Sequence, residues 1–186
     1  MGGDIDKPVG PFEDSLALMR SDILQRCGIT DISVAGYPEG HPRISDQILW
    51  RSMAERIRFA EDNSLGISVL TQFSFTPSRV TWFCDRMAHE SPDVPLYIGM
   101  AGPTDSLQLM RYARICGVST TIRTLHKLGR TTAKLAMHTD PVSQLQALAH
   151  YCATHPSHNV TGVHLFSFGG FVRSTEWIHD AVNAHA

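Results

Sequence analysis

Short apolar runs alternate with longer segments of helical periodicity along the chain, and this alternation is the feature that most constrains the fold. Four runs have the length, β-branched content and flanking turn residues typical of buried strands: 32–36, 67–73, 95–100 and 162–168. A segment with helical spacing follows each run. Strand–helix units joined by right-handed crossovers give a parallel sheet covered by helices, so the sequence predicts a single α/β domain over residues 1–186.

Capping signals predict where the helices begin and end. A first helix is predicted over 12–26, with Gly28 as its stop signal. The predicted caps or first residues of the later helices are Ser45, Thr76-Pro77, Thr104, Asp140-Pro141 and Ser174. The stretch 120–137 is helical by composition without one clean apolar stripe, and it is predicted as one or two short helices.

Composition excludes several classes of partner. The chain has 16 basic and 18 acidic residues and no Lys/Arg run, so it has no electrostatic footprint for nucleic acid or for an anionic membrane. No apolar stretch approaches the ~18–20 residues of a membrane span, and no secretory signal is present. The cysteines Cys27, Cys84, Cys116 and Cys152 are widely spaced without a CxxC pair, which favours a reduced, cytoplasmic chain.

In parallel α/β sheets the chemistry lies at the carboxyl ends of the strands, where the loops converge. Tyr37, Glu39 and His41 follow the first predicted strand, and Gln72 stands at the end of the second. Residues 99–102 and the pair Gly169-Gly170 follow the third and fourth strands. Asp4, which precedes the first helix, is expected on the same face of the sheet.

Two of these segments carry a resemblance. Residues 36–42 read Gly-Tyr-Pro-Glu-Gly-His-Pro, and residues 71–73 read Thr-Gln-Phe about one helix later. The sequence here resembles the methylenetetrahydrofolate reductase family, in which the first motif follows the fifth barrel strand and the second is the sixth. Residues 2–4 (Gly-Gly-Asp) look like the segment closing the fourth strand, and residues 116–118 fit the region after the seventh.

The resemblance implies a fold and an activity. The family is a (β/α)8 TIM barrel that holds FAD and passes a hydride from NAD(P)H through the flavin to 5,10-methylenetetrahydrofolate, giving 5-methyltetrahydrofolate. Such a barrel takes ~250 residues, and the chain begins where the fourth strand should end, so the resemblance covers about half a barrel of four β/α units. Half a barrel would have two unpaired strand edges and an uncovered inner face, which imply a homo-oligomer or completion by a missing N-terminal half.

The family's functional residues map onto individual positions. Asp4 matches the aspartate that lies beside the flavin ring and tunes its electronics, and Gln72 matches the glutamine that contacts the folate pterin. Tyr37 and His41 match residues lining the FAD site. Asp46 and Arg56 fall near positions on the ribityl-phosphate side of the cofactor, although Asp46 also fits an ordinary first-turn helix acid.

Departures from the family pattern keep other functions open. The catalytic glutamate of the family's first strand has no counterpart, the last strand is followed by Phe-Gly-Gly rather than an Asn-Arg-like segment, and His126 stands near the place of an expected glutamine. One alternative is a flavin-free, tetrahydrofolate-dependent methyltransferase. The other is a truncated, non-catalytic chain that binds FAD or folate.

Two further patterns have ordinary structural explanations. His150, Cys152, His155 and His158 are close in sequence, but their spacing fits no usual structural zinc site, so a solvated helix end is favoured and no metal is predicted. Gly169-Gly170 with Ser174 beyond fits a phosphate site at a helix N-terminus and a tight strand-to-helix turn equally well.

Overall fold

Four parallel strands form one sheet in the computed structural model, which describes residues 10–116 and 141–183. The strands are β1 (Asp31–Gly36), β2 (Gly66–Thr71), β3 (Leu96–Ala101) and β4 (Val160–Phe166), and they lie side by side in chain order. In the register Gly36 is opposite Thr71, Leu70 opposite Tyr97, and Gly99 opposite His164. The predicted α/β class and parallel sheet are confirmed, and the consecutive strand order is consistent with a partial α/β barrel.

Two short helices precede β1, and the other described helices come after strands as the alternation predicts. They are α1 (Ser15–Met19), α2 (Ile23–Arg26), α3 (Asp46–Asp62), α4 (Pro77–Glu90), α5 (Ser106–Ile115), α6 (Val142–Thr154) and α7 (Phe171–Asn183). The predicted stretch 120–137 lies outside the described residues. Within the described ranges, no helix has the length and apolar character needed to cross a bilayer.

The main core lies between one face of the sheet and the helices. Val34, Val69 and Ile98 alternate with residues of the other face and are buried against α3 and α4, together with Phe83 and Met87. The helices pack on this face of the sheet because burial of apolar area is the main favourable term in folding.

The opposite face of the sheet carries small polar side chains on β1 and β2 and is exposed in part. Ser33 and Ser68 lie there, with their hydroxyl oxygens 2.6 Å apart. Ala35, Tyr97 and His164 are exposed on that face. Among the described residues, no other strand pairs with the outer edge of β1 or of β4.

The predicted first helix over 12–26 is wrong in its continuity, because the segment forms the two short helices α1 and α2. The hydroxyl of Ser21 donates to the carbonyl oxygen of Leu18 at 2.6 Å, and Asp22 occupies the N-cap position of α2. A serine hydroxyl that bonds to a nearby backbone carbonyl competes with continuation of the helix, and the break between α1 and α2 lies at Ser21. Gly28 has a φ of +69° after α2, as its predicted role as a stop signal requires.

Some predicted helix starts are confirmed. Ser45 caps α3, since its hydroxyl oxygen accepts from the backbone N–H of Ile48 at 3.5 Å. Thr76 and Pro77 are the N-cap and first residue of α4. Pro141 is the N-cap of α6, one residue after the predicted opening at 140.

Two predicted caps are wrong. Asp105, not Thr104, caps α5: its carboxylate accepts from the backbone N–H of Gln108 at 2.8 Å, while Thr104 is buried. Ser174 lies inside α7, because Gly169 at φ +83° turns the chain so that the helix begins at Phe171. Strands β2 and β4 also end two residues before the predicted limits of 73 and 168.

Candidate functional site

The loop 37–42 and the segment 72–76 meet at the carboxyl edge of β1 and β2. The backbone N–H of Gln72 donates to the carbonyl oxygen of Gly36 at 2.7 Å, which continues the pairing of the two strands. Two residues after Gln72, the hydroxyl of Ser74 donates to Oε1 of Glu39 at 2.7 Å. Residues that are about 35 positions apart in the chain therefore form one continuous rim.

A tight turn brings Tyr37 and His41 together. The backbone N–H of Gly40 donates to the carbonyl oxygen of Tyr37 at 3.1 Å, and Gly40 has a φ of +77°, where glycine is favoured. The two rings meet edge to face, with centroids 5.8 Å apart. Nδ1 of His41 accepts from the backbone N–H of Arg43 at 3.2 Å, so in the neutral ring Nε2 carries the proton. His41 thus offers an N–H donor beside an aromatic face.

Asp46 lies against the same turn. A Cβ added at Gly40 would be 2.8 Å from Oδ1 of Asp46, so the glycine leaves room for this carboxylate. Asp46 is exposed in the first turn of α3, where a negative charge is favoured by the helix dipole. Its position fits both the helix-acid interpretation and a place beside the Tyr37 loop.

Tyr37 and Arg56 line one cleft of about 290 Å³ between α3, the end of β1 and the chain before α1. Ile48, Leu49 and Ser52 complete the wall on the α3 side. These helix positions are separated by one, three and four residues, so they share one side of α3. The cleft joins two of the residues that the family resemblance associates with the cofactor.

Arg56 has its own protein partners inside this cleft. Its NH2 nitrogen lies 3.1 Å from Oδ2 of Asp14, Nε donates to the hydroxyl of Ser15 at 2.8 Å, and NH1 donates to the carbonyl oxygen of Ser52 at 2.7 Å. The guanidinium carries five N–H donors, so these bonds do not use all of them. Arg56 therefore holds the start of α1 to α3 and has further N–H groups while lining the cleft.

Gln72 stands at the end of β2, outside the residues that line that cleft. Its Oε1 accepts from the backbone N–H of Phe73 at 3.2 Å, which fixes the orientation of the amide. Within the described residues Nε2 has no hydrogen-bond partner, so the amide presents a donor. The half-buried side chain follows Thr71, whose backbone lies next to Gly99 of β3.

Glu39 is the residue whose role the sequence did not reveal. Its position after β1 was recognised, but its partners lie 35 to 37 residues later: the hydroxyl of Ser74 at 2.7 Å, the backbone N–H of Phe75 at 3.3 Å and the hydroxyl of Thr76 at 3.3 Å. All three donate to Oε1, while Oε2 is buried with no partner among the described residues. The sequence signals for it are its place after the first predicted strand and its place in the Tyr-Pro-Glu motif.

His164 lies on the open face of β4, opposite Gly99 and two residues before the strand ends. It is exposed, and its ring meets Phe166 edge to face with centroids 4.6 Å apart. The alternation of β4 was the signal for it, because His164 shares its parity with Gly162 and Phe166. Phe166 in turn contacts Phe73 and Phe168, forming an aromatic cluster beyond β2 and β4.

Other predicted features lie elsewhere. Asp4 and His126 are outside the described residues. His155 stacks on Tyr151 with centroids 4.3 Å apart, and Nδ1 of His158 accepts from the backbone N–H of Val160 at 3.1 Å, so both rings belong to the end of α6. Residues 10–116 and 141–183 contain no cluster of three potential metal ligands.

The groups with resolved pKa shifts lie in the helical layer rather than at the rim. Burial raises the pKa of the Cys84 thiol to about 12, with smaller contributions from Cys152 and Asp85. Burial, followed by a hydrogen bond to Asp85 at 2.7 Å, raises the pKa of Tyr151. These shifts follow from packing between α4 and α6 and do not mark a catalytic group.

No known protein-family model matches the chain. The geometry of the rim and the motifs of residues 36–42 and 71–73 are therefore the basis for a function.

Proposed function

We propose that the chain is the flavin- and folate-binding half of a methylenetetrahydrofolate reductase-like (β/α)8 barrel, which reduces 5,10-methylenetetrahydrofolate with NAD(P)H. The observation that carries the proposal is the shared rim of Tyr37, His41 and Gln72 at the carboxyl ends of β1 and β2. In parallel α/β folds this edge is where ligands bind. The adjoining cleft with Arg56 supports a cofactor that extends from the rim along α3.

The residues of the cleft are compatible with part of FAD. Ligand pockets have volumes of roughly 300–1,000 Å³, and the cleft, at about 290 Å³, suits the ribityl-phosphate portion rather than the whole molecule. Ile48 and Leu49 supply apolar surface, Tyr37 supplies an aromatic face, and Arg56 supplies N–H donors for a phosphate. When bound, FAD would supply the hydride chemistry that side chains lack.

The proposal gives a role to each residue that the family resemblance identifies. His41 would donate from Nε2 to an acceptor on the cofactor, and Gln72 would donate from Nε2 to the edge of the pterin. Asp4 would place a negative charge near the flavin ring and so disfavour its anionic reduced form. Asp46, exposed beside the turn at Gly40, would lie on the ribityl-phosphate side of the cofactor.

A further polypeptide is part of this proposal. The open face of the sheet, and the edges of β1 and β4 that no other described strand pairs with, would be covered by a second copy of the chain or by an N-terminal half. The same polypeptide would bring the proton donor for the pterin, since the family's first-strand glutamate has no counterpart in this sequence.

Titration of the purified chain with FAD, followed by quenching of flavin fluorescence, tests the cofactor claim. We expect stoichiometric binding that Tyr37→Ala and Arg56→Met weaken. The matched control is Arg51→Met, because Arg51 is exposed on α3 outside the cleft. A chain that is folded by circular dichroism and does not bind FAD would refute the flavoprotein function.

One observation favours the flavin-free alternative, a tetrahydrofolate-dependent methyltransferase. Arg56 already has three protein partners, whereas Nε2 of Gln72 has none among the described residues. Calorimetric titration with tetrahydrofolate in the absence of FAD separates the two functions. Binding that requires Gln72 but is unaffected by FAD would favour the alternative, and binding that needs FAD would favour the reductase.

A further inference from the structure

Glu39 links the two halves of the rim. Its Oε1 is the shared acceptor for Ser74, Phe75 and Thr76, and these bonds cross from the β1 loop to the segment after β2. Glu39 lies between Tyr37 and His41 in the chain, and Ser74 lies two residues after Gln72. The carboxylate thus joins the segment with the expected cofactor contacts to the segment with the expected pterin contact.

The hydrogen bonds to Glu39 come from residues that are themselves hydrogen-bonded to one another at the start of α4. Thr76 is the N-cap residue of α4, and its backbone N–H donates to the hydroxyl of Ser74 at 3.1 Å. Ser74 is buried and Glu39 is half-buried, so water has little access to replace these bonds. The start of α4, Ser74 and the β1 loop therefore form one hydrogen-bonded unit.

From this geometry we infer that Glu39 is a positioning residue, which holds Tyr37 and His41 at a fixed distance from Gln72 by accepting the three bonds at Oε1. The inference rests on the proposed function for the identity of the ligands, but not for the linkage itself. The linkage requires an oxygen at the Oε1 position of residue 39 that accepts hydrogen bonds. Supporting groups of this kind matter because ligand and catalytic geometry must be held within fractions of an ångström.

A pair of variants separates the acceptor from the volume of the side chain. Glu39→Gln keeps an oxygen that can occupy the Oε1 position, whereas Glu39→Met keeps a similar volume without an oxygen acceptor. Glu55→Gln is the matched control, since Glu55 is exposed on α3 and, within the described residues, pairs with Arg51 alone. Ser74→Ala removes the shortest of the three bonds from the other side.

Hydrogen–deuterium exchange is the first readout because it needs no ligand. In Glu39→Met we expect exchange of the Phe75 amide to rise at least ~10-fold and residues 37–43 to exchange faster as well, since local opening governs exchange. Glu39→Gln and Glu55→Gln should remain close to the parent chain. Equal exchange in Glu39→Met and the parent, or equally fast exchange in Glu39→Gln and Glu39→Met, would overturn the inference.

FAD titration is the second readout and connects the linkage to binding. We expect Glu39→Met to weaken FAD binding by ~10-fold or more, the scale seen for supporting groups, and Glu39→Gln to restore it. If the parent binds FAD and Glu39→Met binds equally well, the inference fails while the proposed function stands. If the parent does not bind FAD, the proposed function fails and the exchange result alone decides the linkage.

Should Glu39→Met not fold, Ser74→Ala provides the decision. Faster exchange of residues 37–43 in that variant would support the linkage, because Ser74 lies on the opposite side of the contact. Unchanged exchange of that loop would overturn it.

Discussion

The backbone N–H of Gly99 in β3 donates to the hydroxyl oxygen of Thr71 in β2 at 2.8 Å. Both residues are buried. The backbones of β2 and β3 pair at Leu96 and Tyr97 of β3. The bond to the Thr71 hydroxyl extends this connection toward the carboxyl edge, where Gln72 follows Thr71. A side chain thus supports the end of the sheet that carries the candidate site.

Replacement of Thr71 by valine tests this bond. Thr71→Val preserves the shape of the side chain but leaves a buried N–H without its acceptor, which costs ~1–3 kcal/mol. Urea denaturation should show that loss in the free energy of unfolding. Thr161→Val, at an exposed position of β4, is the control and should change it by no more than about 0.5 kcal/mol. Equal effects of the two substitutions would contradict a structural role for the Thr71 hydroxyl.

Gly99 itself should not tolerate a side chain. A Cβ there would lie 2.2 Å from the carbonyl oxygen of Thr71 and 2.7 Å from Cε2 of Phe166. We expect Gly99→Ala to lower the free energy of unfolding by ~1–3 kcal/mol, the usual cost of overpacking. In Gly162→Ala the nearest atoms, on Tyr97, are 3.4 Å away, so thermal denaturation should show little loss for that variant. A Gly99→Ala protein as stable as the Gly162→Ala protein would show that β2 and β3 can separate locally.

Arg56 should stabilise the chain apart from any ligand. Its side chain is only 13% exposed in the pair with Asp14. Arg56→Lys keeps a positive charge but cannot reproduce the three directed bonds, so we expect a loss of ~1–2 kcal/mol in urea denaturation. Arg51→Lys alters a pair whose arginine is 80% exposed and should have an effect within about 0.5 kcal/mol. If the two variants are equally stable, the link between α1 and α3 is not significant.

Alkaline pH should weaken the helical layer through Cys84. Burial raises the pKa of this thiol from 9.0 to about 12, so the folded state holds the proton more tightly than the unfolded state. Its contribution is complete below about pH 9 and is lost as the pH rises toward about 12. Within that window the free energy of unfolding should fall by up to ~1.4 kcal/mol per pH unit.

Denaturation under reducing conditions between about pH 9 and pH 10 keeps the contribution of Tyr151 small, because Tyr151 titrates from an ordinary value of 10.0. Burial also raises the pKa of Cys152 from 9.0, so the Cys84→Ala variant keeps the contribution of Cys152 and loses only that of Cys84. Cys84→Ala should have a shallower dependence on pH than the parent. Cys27→Ala, which removes an exposed thiol, is the control and should retain the parent slope. The same slope in all three proteins would argue against Cys84 as the source.

Local patterns were sufficient for most of the fold. The alternation around Val34 and Val69 predicted strands with one buried face, and Ser45 predicted the start of α3. These are short-range properties, since strand alternation and capping depend on residues within one turn. Thr104 and Ser174 were wrong as caps because competing neighbours, Asp105 and the Gly169 turn, determined where those helices begin.

The candidate site was accessible from the sequence only in part. Parallel-sheet topology and a family resemblance predicted Tyr37, His41 and Gln72 at one edge, while Asp4 stays a prediction. The sequence alone determined which strands form and in what order they alternate with helices, because that depends on local periodicity, whereas β2 and β4 end two residues before their predicted limits. Only the tertiary structure decided that Glu39 accepts from Ser74 and that Arg56 bonds to Asp14, because each contact joins groups 35 or more residues apart.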